Sequence, residues 1–132
     1  MGLEITWYDV DQTILVATIA KNTTWADYHN AIDQIVAQAD GKCRVDVVFV
    51  DDVGMPTGYP LNHLRQGIFK LMQQPNIRMS LIAGSKGSTG LVRAVIESIG
   101  RAFGGVKDGI PDIFAPTLDE AIARIQADRA RQ

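Results

Sequence analysis

The chain has 132 residues, 46% of them hydrophobic and 21% charged, with a formal net charge of -2. This fits one domain with a core of its own, since a chain of ~150 residues buries roughly 70% of its unfolded surface. With no basic excess, nucleic acid is not an expected partner. The apolar runs fall far short of the ~20 residues of a membrane helix, so no membrane span is expected. The single cysteine, Cys43, allows no intramolecular disulfide and suits a reducing, cytoplasmic compartment. The opening Met1-Gly2-Leu3-Glu4-Ile5 lacks the basic segment and apolar run of a signal peptide. Gly2 with Thr6 formally meets the myristoylation pattern, but Leu3–Tyr8 has the alternation of a strand.

Leu3, Ile5 and Trp7 alternate with Glu4, Thr6 and Tyr8, the pattern of a half-exposed strand. Asp9-Val10-Asp11 supplies turn chemistry, and β-branched Thr13–Ile19 follows as a second strand. The connection is too short for a parallel crossover, so an antiparallel hairpin is expected. Thr24 with Asp27 has the spacing of a capping box. Trp25, Tyr28, Ile32, Ile35, Val36 and Ala39 then mark one face of a helix that Asp40-Gly41 ends. Val45–Val50 is nearly all apolar, as a central strand covered on both faces should be. A second helix is marked by Leu61, Leu64, Ile68, Leu71 and Met72, with Pro60 at its first turn, and Ile77–Ala83 is the fourth strand. After the glycine-rich stretch Gly84–Gly90, the spacing predicts a third helix from about Thr89 to Phe103 and a short fifth strand, Ile110–Phe114. Thr117 with Glu120 opens a fourth helix with Leu118, Ala121, Ile122 and Ile125 inward, and the tail after Asp128 is expected to fray. Arg124, Arg129 and Arg131 suit the helix dipole at its end. The expected fold is a single α/β domain over residues 1–132, a mixed five-stranded sheet with four helices in the order β-β-α-β-α-β-α-β-α.

Three stretches of this order resemble the STAS-like superfamily, which includes the anti-sigma-factor antagonists and the STAS/SEC14-like proteins. They are the opening hairpin, strand Val45–Val50 running into Asp51-Asp52-Val53-Gly54, and Phe114-Ala115-Pro116-Thr117-Leu118-Asp119-Glu120-Ala121. The resemblance covers nearly the whole chain and implies regulation through protein–protein or small-ligand binding, not catalysis, with no cofactor. The antagonists carry a phosphorylated serine in an Asp-Ser-Ser-Gly stretch at the start of the second helix. This chain has Met55-Pro56-Thr57-Gly58-Tyr59-Pro60 there, so Thr57 is the nearest hydroxyl that could take a phosphate, facing helix N–H groups.

Four places carry possible chemistry. Asp51 and Asp52, at the carboxyl end of the central strand, could hold Mg²⁺ or orient a hydroxylated ligand. Because adjacent strand residues point to opposite faces, the favoured reading is that Asp51 accepts hydrogen bonds in the turn and Asp52 is solvated. Gly54, Met55, Thr57 and Tyr59 continue that loop, where a Met and a Tyr suit a protein contact. Ser85, Lys86 and Ser88, in Gly84–Gly90, could cradle an anionic ligand such as a nucleotide or phosphate at a helix N-terminus; neither the Walker A nor the dinucleotide spacing is present. Otherwise the loop simply caps the helix through Ser88 or Thr89. Asp9-Val10-Asp11-Gln12-Thr13 matches the Asp-x-Asp-x-Thr motif of haloacid-dehalogenase-type phosphotransferases, which would make Asp9 a nucleophile and Asp11 a general acid/base with Mg²⁺. Ser85, Lys107, Asp108 and Asp112 would have to fill that family's later motifs. Against it, Leu3–Tyr8 alternates where a nucleophile-bearing central strand should be continuously apolar.

His29 and His63 lie on different helices with no ligand-spaced partner, so no metal site is expected. Cys43 reads as a buried filler or an inert surface thiol. Trp7, Trp25 and Tyr28 read as packing. Arg93, Glu97 and Arg101 could support a homodimer, though such a face is commonly just solvated. The expected function is therefore a regulatory module that binds a protein or small molecule. A small anionic-ligand binder is the second reading and a Mg²⁺-dependent phosphatase the third.

Overall fold

The structure, a computed structural model, describes residues 3–53, 61–84 and 114–131. The first pairing follows from the short link between the first two strands, β1 (Leu3–Trp7) and β2 (Ile14–Ile19), which run antiparallel from Leu3 opposite Ile19 to Trp7 opposite Leu15. Helix α1 (Trp25–Ala39) returns the chain so that β3 (Val45–Val50) lies parallel to β2. Helix α2 (Leu61–Met72) then brings β4 (Ile77–Ala83) parallel to β3, and β5 (Phe114–Ala115) is parallel to β4. The sheet order is sequential, β1-β2-β3-β4-β5, so β3 is the middle strand, as its apolar run demands.

The two faces of the sheet carry different helices. Leu15, Ala17, Val47 and Phe49 pack with Trp25, Tyr28, Ile32 and Ile35 of α1 and Leu64 and Leu71 of α2. The alternate residues Ile14, Val48, Leu81, Ala83 and Ala115 pack with Ala121, Ile122 and Ile125 of the last described helix, α3 (Leu118–Ala130). Period-2 alternation in the strands thus feeds two cores, one on each side. The capping box at α1 forms in both directions, Asp27 N–H to Thr24 Oγ1 at 3.1 Å and Thr24 N–H to Asp27 Oδ2 at 3.0 Å. At α3 Thr117 caps Glu120 N–H at 3.2 Å, while the Glu120 carboxylate turns to Arg124 at 2.6 Å.

The described residues hold three helices. The helix expected over Thr89–Phe103, and with it Arg93, Glu97 and Arg101, lies outside them. Of the expected strand Ile110–Phe114, Phe114 is paired in β5 and the residues before it lie outside the described set. Two expectations need correction. Met72 is exposed, because Leu64, Gly67 and Leu71 already set the buried side of α2 and Met72 falls beyond it. The chain after Asp128 does not fray: α3 continues to Ala130, since Arg129 and Asp128 are tied to the sheet. No helix among the described residues is long and apolar enough to cross a membrane.

Candidate functional site

Three polar constellations occupy different parts of the fold. The first is at the carboxyl edge of the parallel strands. Asp51 follows β3 directly, is fully buried, and donates its N–H to the Ala83 carbonyl at 2.8 Å. One strand over, Gly84 donates to the Ala115 carbonyl at 3.2 Å with φ +115°, a conformation open to glycine. A Cβ at Gly84 would sit 2.5 Å from the Asp51 carbonyl oxygen and 2.7 Å from Asp52 Oδ1. The loops that leave β3 and β4 therefore share one root, held so closely that only glycine fits. The Asp51 side chain is buried while Asp52 and Val53 are exposed, so the two carboxylates diverge as alternation requires.

The second constellation is at the opposite, amino edge. Asp46 is fully buried on β3 and accepts from Arg44 Nε at 3.0 Å and Arg129 Nε at 2.9 Å. Its other oxygen accepts the Met79 N–H at 3.0 Å. This repairs the ladder: Val45 pairs with Ile77 but Val47 with Ser80, so β4 carries an extra residue whose N–H would otherwise lack a strand partner. Arg129 also reaches Thr13 Oγ1 at 2.9 Å and the Thr13 carbonyl at 3.0 Å, and Arg44 pairs with Asp128 at 2.9 Å. Burial alone would push the Arg44 guanidinium down, but its bonds to Asp128 and Asp46 raise it overall; Arg44 in turn holds the Asp128 carboxyl below its ordinary value. The network locks the end of α3 across the starts of β2 and β3.

Asp9 belongs to this edge. Its Oδ1 accepts the Thr13 N–H at 2.8 Å and the Ile14 N–H at 3.0 Å, and its Oδ2 accepts from the Thr13 hydroxyl. Burial works to raise its carboxyl, but these donors outweigh it and leave the group below the ordinary carboxylate value. Asp9 thus closes the hairpin turn at an edge strand, at the end of the sheet away from Asp51 and Gly84.

The third constellation fills the seam between α1 and α2. His29 Nε2 and His63 Nδ1 are 2.9 Å apart. Trp25 stacks on the His63 ring with centroids 4.7 Å apart and planes 8° from parallel, and Tyr28 meets Trp25 and His29 edge-on, each at 5.3 Å. The Tyr28 hydroxyl lies where a Cβ at Gly67 would be, 2.2 Å away, so that glycine admits the ring; burial pushes the phenol well up. The absence of a local ligand spacing concealed the histidine pair: Trp25 and Tyr28 define one helix face, and nothing in the order of residues says that His63 comes to it. Among the described residues no group of three or more His, Cys, Asp or Glu side chains is arranged to hold a metal.

Of the residues singled out in the sequence, Asp51 and Asp52 are described, whereas Gly54, Met55, Thr57, Tyr59, Ser85, Lys86, Ser88, Lys107, Asp108 and Asp112 lie outside the described residues. Asp11 is exposed in the hairpin turn, and Cys43 is an exposed free thiol. No family model, curated protein or solved structure matches the chain significantly.

Proposed function

We propose that the chain is a STAS-like regulatory module that acts by binding another protein through the Asp51–Pro60 loop and the outer face of α2. The observation that carries this reading is the composition of that face. Leu64, Gly67 and Leu71 turn inward, yet the outward side carries Phe69, 47% exposed, and Met72, 59% exposed, rather than charged residues throughout. Val53, 44% exposed, stands at the other end, where the chain leaves β3. The helix spans 12 residues, about 18 Å at ~1.5 Å per residue. Phe69 and Met72, three positions apart, make one exposed apolar spot at the end of the helix, and large exposed apolar groups of this kind are what macromolecular contacts bury. Support also comes from the element order, an antiparallel pair followed by two successive α-β units.

A photo-crosslinking residue placed at position 72 tests the reading in cells. Capture of one reproducible protein, absent when the same residue stands at exposed Lys21, supports it; identical products from both positions contradict it.

A second reading is a small anionic ligand held by the Gly84–Gly90 loop, which Gly84 opens at the carboxyl edge of the parallel strands, where ligands of α/β sheets commonly sit. Binding of nucleotides or inorganic phosphate that Lys86→Ala abolishes would select it over the first.

A further inference from the structure

Strand β1 ends the sheet on one side, and its register shows where its backbone points. The Tyr8 N–H bonds to the Ile14 carbonyl at 2.8 Å across the hairpin, while the Thr13 carbonyl accepts the Asp46 N–H at 2.9 Å on the other side of β2. Glu4, Thr6 and Tyr8 therefore direct their backbone groups at β2, and Leu3, Ile5 and Trp7 direct theirs out of the sheet. The pairing with β2 runs without a bulge, and Leu-Glu-Ile-Thr-Trp holds neither proline nor lysine, the usual guards of a strand edge.

This edge is complementary to itself. Two copies of β1 laid antiparallel about a two-fold axis at Ile5 set Ile5 against Ile5 and Leu3 against Trp7, each pair exchanging both of its N–H···O bonds. Those side chains lie on one face, half-buried against the core under α1, so the apolar row continues from one copy into the other. On the opposite face exposed Glu4 meets exposed Thr6 of the second copy. The neighbouring registers are worse. A slide one way sets Glu4 against Glu4, a like-charge pair. A slide the other way sets Leu3 against Asp9, whose carbonyl already accepts the Gln12 N–H at 3.2 Å.

We propose that β1 is a dimerisation edge: two copies of this chain pair antiparallel through Leu3–Trp7, centred on Ile5, and join their five-stranded sheets into one. The match is of the strand with itself, which singles out a second copy of the chain as the occupant.

Cysteine pairing reads the register directly. Two full-length variants, Glu4→Cys and Thr6→Cys, both carrying Cys43→Ser to remove the exposed thiol, are mixed and oxidised in a glutathione buffer, one of them labelled with nitrogen-15 so that mass spectrometry separates the products. In the proposed dimer positions 4 and 6 face each other with Cα atoms about 4.5 Å apart, within disulfide reach, whereas like positions are diagonal at about 7–8 Å. The mixed disulfide should exceed either homodisulfide by roughly tenfold. Without disulfides, sedimentation should show a monomer–dimer equilibrium that Thr6→Lys tightens and Thr6→Glu loosens, by about two- to thirtyfold each, because the axis counts the pair with Glu4 twice. A mixed disulfide no commoner than random pairing gives, or a parent chain that stays monomeric up to about 1 mM, would overturn the proposal.

Discussion

Replacing Gly84 with alanine probes the root shared by the two loops at the carboxyl edge. The new Cβ would stand 2.5 Å from the Asp51 carbonyl oxygen and 2.7 Å from Asp52 Oδ1, against an ordinary C···O contact of about 3.3 Å or more. The carbonyl belongs to a backbone that cannot retreat freely, because Asp51 N–H is bonded to Ala83 at 2.8 Å. Forcing φ +115° on an alanine costs on the order of 1–3 kcal/mol, and relieving the overlap costs about 1–3 kcal/mol more. A loss of roughly 3 kcal/mol, with a urea slope of ~2 kcal/mol/M, moves the unfolding midpoint down by about 1.5 M. Equilibrium urea unfolding followed by circular dichroism measures it. Adding Asp52→Ala should recover less than half of the loss, since the clash with the backbone carbonyl remains. A Gly84→Ala midpoint within about 0.25 M of the parent, under 0.5 kcal/mol at that slope, would refute the tight approach of the two loops.

Two further outcomes follow from the polar groups. Asp46→Asn keeps an acceptor for the Met79 N–H but removes the charge that faces Arg44 and Arg129; breaking a buried pair costs about 3–5 kcal/mol, and the partial exposure of both arginines, 17% and 29%, places the loss near the lower end. Thermal unfolding of the variant should therefore begin well below that of the parent, and an unchanged midpoint would mean the network contributes nothing. His29 is held below the ordinary histidine value, so just below pH ~6.5 the unfolded chain binds more protons than the folded one. Its contribution to stability is complete above that pH and is lost as pH falls through it toward the lower folded value. Denaturant midpoints measured from pH 7.5 down to pH 5 should decline for the parent and decline less for His29→Gln; parallel curves would contradict this.

Most of the fold was legible because it rests on periodicity. The alternation of Leu3, Ile5 and Trp7, the continuous apolar run of β3 and the spacing Trp25–Tyr28–Ile32–Ile35 each report a single physical fact, which face is buried. The polar constellations were less legible because they join distant residues. Asp46 interrupts the apolar run of β3 and, being buried, needs partners; they are Arg44, two residues before it, and Arg129 at the end of the chain, which no periodicity reports. The same blind spot made the last residues look like a fraying tail. His29 and His63 meet only because Gly67 lets α2 approach the Tyr28 ring. The two loops read as separate candidate sites begin in contact, a consequence of β3 and β4 being parallel neighbours, which periodicity cannot report.

In the proposed function the outer face of α2 binds a protein. Met72→Glu is the decisive variant, because a side chain 59% exposed can be replaced without loss of folding, while a buried charge at an apolar contact costs affinity. With the protein captured by crosslinking at position 72, calorimetric titration should show affinity reduced about tenfold or more for Met72→Glu, roughly 1.4 kcal/mol or greater, and unchanged for Lys21→Glu. Equal affinity for Met72→Glu and the parent, at unaltered thermal stability, would contradict the assignment of this face.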